Sequence, residues 1–320
     1  MFIRRQILFP TIGIMPPNNI FITQIGLAEG NGAGAFYDSD RRLTIIPSTF
    51  DKEHVNDLTA LVKMLTVDLL DQHFRDESAM SDDTWYAKRA VIYGKASLTA
   101  DRFRFQVSKN LQRPPGSSVQ ALEVTEIFNA LPVYVRNITQ FSSIHGKEYV
   151  DLYLQNQAQV SDPKASHIGR LIKATNNTKP IIFPNRKLPK PKQVKNSPSN
   201  TDEKHTVSTQ LGALGVLAHL KQSMTPAEAV SATEGYVSDE LIYIDITKDE
   251  NITKLDGIVI WKVTFKNNQQ AEVFENHLAD LTESDPASRS LKKNNSVVTL
   301  TAEITFDTKA YQLILKPLKN

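Results

Sequence analysis

The chain has 320 residues and no cysteine, with 37 Lys and Arg against 35 Asp and Glu, 40% hydrophobic residues and 8% aromatic ones. Without cysteine there is no disulfide framework, zinc ribbon, iron–sulfur cluster or thiol nucleophile. A charged fraction of 22% with ordinary Gly and Pro excludes wholesale disorder. The length fits one large or two medium globular domains.

At the amino end, Arg4 and Arg5 precede an apolar run from Ile7, but Pro10, Pro16 and Pro17 cut it short of a signal peptide. No stretch of about 18 apolar residues occurs, so the expectation is cytoplasmic residence with no membrane partner. Residues 20–25 and 43–46 are short β-type runs. Between them Gly30, Gly32 and Ala35 satisfy the G-x-G-x-x-A spacing of a dinucleotide loop. That fingerprint needs a helix to follow, and residues 36–43 have no helical period, so a hairpin loop is expected instead. From Asp51 to Arg75 apolar residues fall at Val55, Leu58, Val62, Leu65 and Leu69, steps of three and four that predict an amphipathic helix.

Residues 86–93 and 102–107 read as a hairpin across Thr99–Asp101. A helix then follows from Ser117 or Ser118 to Pro132, and two more strands lie at 133–138 and 148–154. Strand, helix, strand, strand, helix, strand over 43–138 predicts a ferredoxin-like or RRM-like split βαβ core in an α+β chain. Between Ala158 and Thr206 six prolines interrupt any period, and a long arm or linker is expected. In the last third a small-residue helix is expected at 207–222 and strands at 241–247 and 258–266. A helix with Ala271, Phe274, Leu278 and Leu281 on one face comes next. Then Val298, Leu300, Ala302, Ile304 and Phe306 alternate with polar residues as a half-buried strand, paired with a final strand at 311–315. The expected organisation is an α+β domain at 1–160, a Pro/Lys-rich basic arm or linker at 161–205, and an α+β part at 206–320 that completes the same domain or stands beside it.

Catalytic and metal motifs are sparse. The seven histidines include no pair at one- to four-residue spacing, and His277, beside an apolar helix face, reads as a satisfied semi-buried histidine. The acids Asp68, Asp71, Asp76, Glu77, Asp82 and Asp83 read as a solvated helix end rather than a Mg²⁺ site. No Gly-x-Ser-x-Gly elbow or Walker loop occurs. No metal, cofactor or catalytic residue is expected.

Charge is the strongest signal. Lys164, Arg170, Lys173, Lys179, Arg186, Lys187, Lys190, Lys192 and Lys195 are basic, with no acid from Pro163 to Thr201. Removing these nine from the 37 basic residues leaves 28 against 35 acids, so the remainder carries −7. Such a segment neutralises phosphates whatever the base sequence. Arg102 and Arg104, alternating with Phe103 and Phe105, are a second candidate set, with the phenylalanines either stacking on bases or buried. A split βαβ core with a basic arm resembles the RNA-binding backbone subunits of CRISPR effector complexes in build alone, with no motif behind the likeness. The expected function is non-enzymatic binding of RNA or single-stranded DNA within a nucleoprotein assembly, with protein subunits or further copies of the chain as partners. The alternative is a structural subunit of a virion, tail or secretion machine whose arm docks on a neighbour.

Overall fold

The structure is a computed structural model that describes residues 2–15, 35–38, 41–74, 80–108, 126–157, 167–184, 206–247, 254–283, 289–309 and 312–316. The chain opens with helix α1 (Phe2–Thr11), followed by a buried turn carrying Ile12, Ile14 and Met15. Strands β1 (Phe36–Asp38) and β2 (Leu43–Ile45) form an antiparallel ribbon against helix α2 (Val55–Phe74). Tyr37 donates to Asp71 and Thr44 to Asp68, so two of the acids expected at a solvated helix end hold the ribbon to α2. Glycines 30, 32 and 34 lie outside the described residues.

The expected hairpin at 86–107 is instead one long helix, α3 (Asp82–Ser108). Aromatic and β-branched residues at 86, 91, 92 and 93 favour a strand by propensity. The period that decides is that of the smaller residues: Asp83, Ala87, Ala90, Gly94 and Ser97, spaced four, three, four and three, are all buried on one face. The expected strands at 133–138 and 148–154 are also helical, as α4 (Val133–Gln140), a five-residue π segment at Phe141–His145, and α5 (Gly146–Gln157). Tyr134, Val135 and Ile138 are buried, as are Tyr149, Val150 and Tyr153: in each set the spacing is one and then three, which suits a helix face. Residues 126–130 are helical and that helix ends before Pro132, as expected; Pro132 is also the N-cap of α4, because a first helical turn has no use for a proline N–H.

Helices α3 and α5 meet backbone to backbone. A Cβ at Gly94 would lie 2.3 Å from the Gly146 carbonyl, and one at Gly146 would lie 2.1 Å from the Ala90 oxygen. Only two glycines permit that approach. With these elements helical, the ferredoxin-like split βαβ core is not present among the described residues, and the likeness in build that rested on it falls too.

Within the segment expected to be an arm or linker, the described residues 167–184 hold two helices, α6 (His167–Ala174) and α7 (Lys179–Ile182). Ile168, Leu171 and Ile172 bury one side of α6, and Ile181 and Ile182 bury α7. Proline density hides this short apolar pattern in the sequence; Pro180 sits in the first turn of α7, where it is tolerated.

The last third is a single antiparallel sheet with helices. Strand β3 (Thr206–Thr209) leads to helix α8 (Gly212–Leu220), helix α9 (Pro226–Glu234) and strands β4 (Tyr236–Asp245) and β5 (Lys254–Phe265). Helix α10 (Asn268–Glu283) precedes β6 (Arg289–Asn294), β7 (Val297–Asp307) and β8 (Gln312–Lys316). The order is β3-β4-β5-β7, and two short strands share the far edge of β7: β6 pairs with residues 297–302 and β8 with 303–307. The expected alternation in β7 holds, with Val298, Leu300, Ala302, Ile304 and Phe306 inside. Ala271, Phe274 and Leu278 are the buried face of α10, as their spacing predicts. Helix α8, every residue of which is buried, lies in one contiguous core with residues of α1, α3, α4 and the sheet. The chain is therefore mixed α+β with antiparallel sheets, and no described helix is long and apolar enough to cross a membrane.

Candidate nucleic-acid interface

A helix that spaces like charges seven apart presents them in line, about 10 Å apart. Helix α3 does this with Lys88, Lys95 and Arg102. Arg102 is exposed and the two lysines half-buried. Burial lowers the pKa of Lys95, and the positive charge of Arg102 lowers it further, as expected of neighbours on one stripe. Between Thr84 and Ser108 the helix has five basic residues, Arg89 and Arg104 being the others, and a single acid, Asp101, which pairs with Lys147 of α5. Arg89 stacks over Trp85 at 5.0 Å and Tyr93 at 4.5 Å from the ring centres. A spacing of about 10 Å is close to the Debye length at 0.1 M salt, so the stripe acts as one field in dilute salt and as separate charges in concentrated salt.

The candidate residues fall into four groups. Arg102 and Arg104 are exposed at the end of α3, on a helix rather than a strand, with Phe103 half-buried and Phe105 exposed. Arg170 and Lys173 are exposed on α6, opposite its buried isoleucines and leucine. Lys179 is turned inward: its ammonium donates to the Tyr236 carbonyl and lies 5.9 Å from that ring, and burial lowers its pKa. Arg186, Lys187, Lys190, Lys192 and Lys195, with Lys164, lie outside the described residues. The first two groups are far apart. Thr84, at the start of α3, donates to Asn176 between α6 and α7 at 2.8 Å, and Arg102 is 18 residues further on, ~27 Å along the helix. Lys88 and Lys95, which a strand reading conceals, lie between those ends on the Thr84 face. Their seven-residue spacing is the signal available in the sequence.

The root of the basic segment is fixed in the core by buried carboxylates. A wholly buried helix must find partners for its first N–H groups. At α8, Asp239 accepts from the Leu211 N–H at 2.9 Å and the Gly212 N–H at 3.0 Å, and also from Tyr236 Oη at 2.7 Å and Trp261 Nε1 at 3.1 Å. Leu214 donates to Thr178 Oγ1 at 3.0 Å, and Thr178 in turn donates its hydroxyl and its N–H to Asp83 Oδ1 at 2.6 and 2.9 Å. Thr178 directly precedes α7, so this chain of bonds ties the basic segment to α3 and α8. Gly212 has φ +72°, and the Asp83 carboxyl fills the space its Cβ would need.

Asp82 and Asp83 are thus buried, not solvated. Asp82 pairs with buried Arg5 of α1, with Arg5 Nε donating at 3.0 Å. Burial pushes the Asp83 carboxyl up to about 7, with the charges of Asp239 and Asp82 adding and the Thr178 bonds opposing. Burial likewise lifts Asp239, against its four donors. Among the described residues no group of three or more His, Asp or Glu could hold a metal ion. No family model, curated protein or solved structure matches this chain.

Proposed function

We propose that the chain binds single-stranded RNA or DNA through its phosphates, without catalysis, as a subunit of a cytoplasmic nucleoprotein assembly. The observation that carries this reading is the run of nine basic residues without an acid from Pro163 to Thr201, in a chain whose remainder is net negative. Each Lys or Arg set against a phosphate releases condensed counterions, which favours binding at low salt independently of base sequence. The stripe Lys88, Lys95 and Arg102 supports a path that continues along α3. Arg170 and Lys173 mark its other end, and Lys179 serves structure.

The test is fluorescence anisotropy of the full chain with single-stranded oligonucleotides across a salt series. The variant carrying Arg186→Ala, Lys187→Ala, Lys190→Ala and Lys192→Ala is expected to bind more weakly, its log–log salt slope shallower by about 0.7 for each phosphate no longer neutralised. The pair Lys88→Ala and Arg102→Ala is expected to weaken binding less. Unchanged affinity of the fourfold variant overturns the arm's role. Salt-resistant oligomers free of nucleic acid would favour the alternative of a structural assembly subunit whose arm docks on a neighbour.

A further inference from the structure

A file of hydrogen bonds runs from the core to the surface through two histidines 58 residues apart in sequence. His219 of α8 places Nε2 2.7 Å from the Ile12 carbonyl and Nδ1 2.6 Å from His277 Nε2 of α10. His277 places Nδ1 2.5 Å from the hydroxyl of Ser223, an exposed residue in the turn after α8. Both imidazoles are buried, and His219 packs against the rings of Trp261 and Phe274, which also touch each other.

The proton positions are dictated from one end. A carbonyl only accepts, so His219 Nε2 carries the hydrogen and, in a neutral ring, Nδ1 offers a lone pair. His277 must then donate from Nε2, which leaves its own Nδ1 as an acceptor. Ser223 can only donate into it. Both rings are held neutral by burial: His219 is pushed down to about 3, by desolvation first and by the neighbouring His277 and Arg289 as well, and His277 is lowered by burial against the opposing charge of Asp280. A hydroxyl donating to a neutral imidazole whose far nitrogen is held by a third group is the arrangement that activates a serine nucleophile.

We propose that Ser223 is a base-activated nucleophile that takes a group from an activated phosphoryl or acyl compound, with His277 as the base and His219 as a positioning residue. In the transfer the Ser223 oxygen forms a bond to the phosphorus or acyl carbon and the leaving group departs with its bonding pair. The hydroxyl proton passes to His277 Nδ1, and the resulting imidazolium keeps its Nε2 hydrogen bond to His219. The surrounding N–H groups offer little to a developing oxyanion. Those of Ser223 and Met224 both donate to the Leu220 carbonyl, that of Gln222 to His219, and that of Thr225 to Glu228. With these four committed to the fold, no backbone N–H of the turn stabilises the charge that builds on the transferred group, so transfer onto Ser223 needs a strongly activated donor and release from it is slow too.

The experiment uses the full-length chain and a fluorophosphonate probe, which forms the serine–phosphorus bond as fluoride leaves. Peptide mass mapping is expected to find Ser223 labelled well above the chain's other serines, and this preference is expected to vanish in urea, since the fold creates it. Ser223→Ala should remove the label, and His277→Asn should slow it by about 10²-fold or more, the usual worth of a general base. His219→Phe keeps ring packing but removes the acceptor for the His277 imidazolium. It should move the inflection of the labelling rate to lower pH, a change that looser packing alone does not produce. Labelling of Ser223 no faster than other serines in the native chain, or at an equal rate in urea, would overturn the proposal. So would a native-like His277→Asn variant that labels at the wild-type rate.

Discussion

Asp239 and the His219–His277 pair sit in the same core but are wired differently. The carboxylate is enclosed: four donors converge on its two oxygens, and every one belongs to the core. The imidazoles pass hydrogen bonds in single file, one per nitrogen, from a buried carbonyl to a hydroxyl at the surface. Enclosure suits a cap, because a wholly buried helix end needs fixed acceptors and gains nothing from exchange with water. A file open at one end can move a proton, because its outer member meets solvent while its inner members fix which nitrogen is free. The same cost of burying polar groups thus yields a fastening in one place and a reactive group in the other.

The enclosed site should be the more fragile. Asp239→Ala leaves two backbone donors, a phenol and an indole without an acceptor, and is expected to cost roughly 3–5 kcal/mol in urea unfolding, enough to unfold many chains. Gly212→Ala tests the same cap from the helix side. Its left-handed φ and the collision with Asp83 should together cost at least about 2 kcal/mol by the same measurement.

Titration separates the two networks further. Asp83 binds its proton more tightly folded, near 7, than its ordinary 3.8, so its contribution to stability is full below about 3.8 and is lost as pH rises through about 7. His219 has the opposite sign: folded near 3 against an ordinary 6.5, it contributes fully above about 6.5 and loses that as pH falls toward 3. Across the shared window the slopes oppose each other. Asp83→Asn keeps an oxygen for Thr178 but cannot ionise, so the variant should gain in urea midpoint over the wild type above pH 7 and show a steeper loss on acidification. An equal pH profile for both proteins would show that Asp83 is not the group responsible. The smallest effect is expected at the open end of the file: Ser223→Ala should change unfolding stability by no more than about 0.5 kcal/mol while abolishing labelling by the fluorophosphonate.

How much of the fold is legible in the sequence depends on whether a pattern is local. The alternation of β7 and the apolar face of α10 are periodic within a dozen residues, and both can be read directly. The place of His277 beside the apolar face of α10 can be read as well, though the ring is buried and not semi-buried. Helix α3 reads as strands because bulky residues at 86, 91, 92 and 93 carry the stronger β propensity; Tyr86, Val91 and Ile92 are buried in the helix too, but its period is completed by Ala87, Ala90, Gly94 and Ser97, which are too small to register as a hydrophobic pattern. The contact of His219 with His277, and the convergence of Asp83, Thr178 and Asp239, are products of tertiary folding that no spacing rule encodes. Charge segregation needs no fold to be seen. It points to the basic segment but not to Lys88 and Lys95, whose alignment exists only once the helix is known.

The crossing of Gly94 and Gly146 turns α3 into a lever with a fixed fulcrum. Beyond it the helix continues for 14 residues to Ser108, an arm of about 20 Å that carries Lys95, Arg102 and Arg104. A single methyl at either glycine would wedge the crossing open, and an opening of a few degrees there is multiplied along the arm. The placement of Arg102 and Arg104 toward the far end thus depends, besides the Asp101–Lys147 pair, on two residues that carry no charge and no side chain.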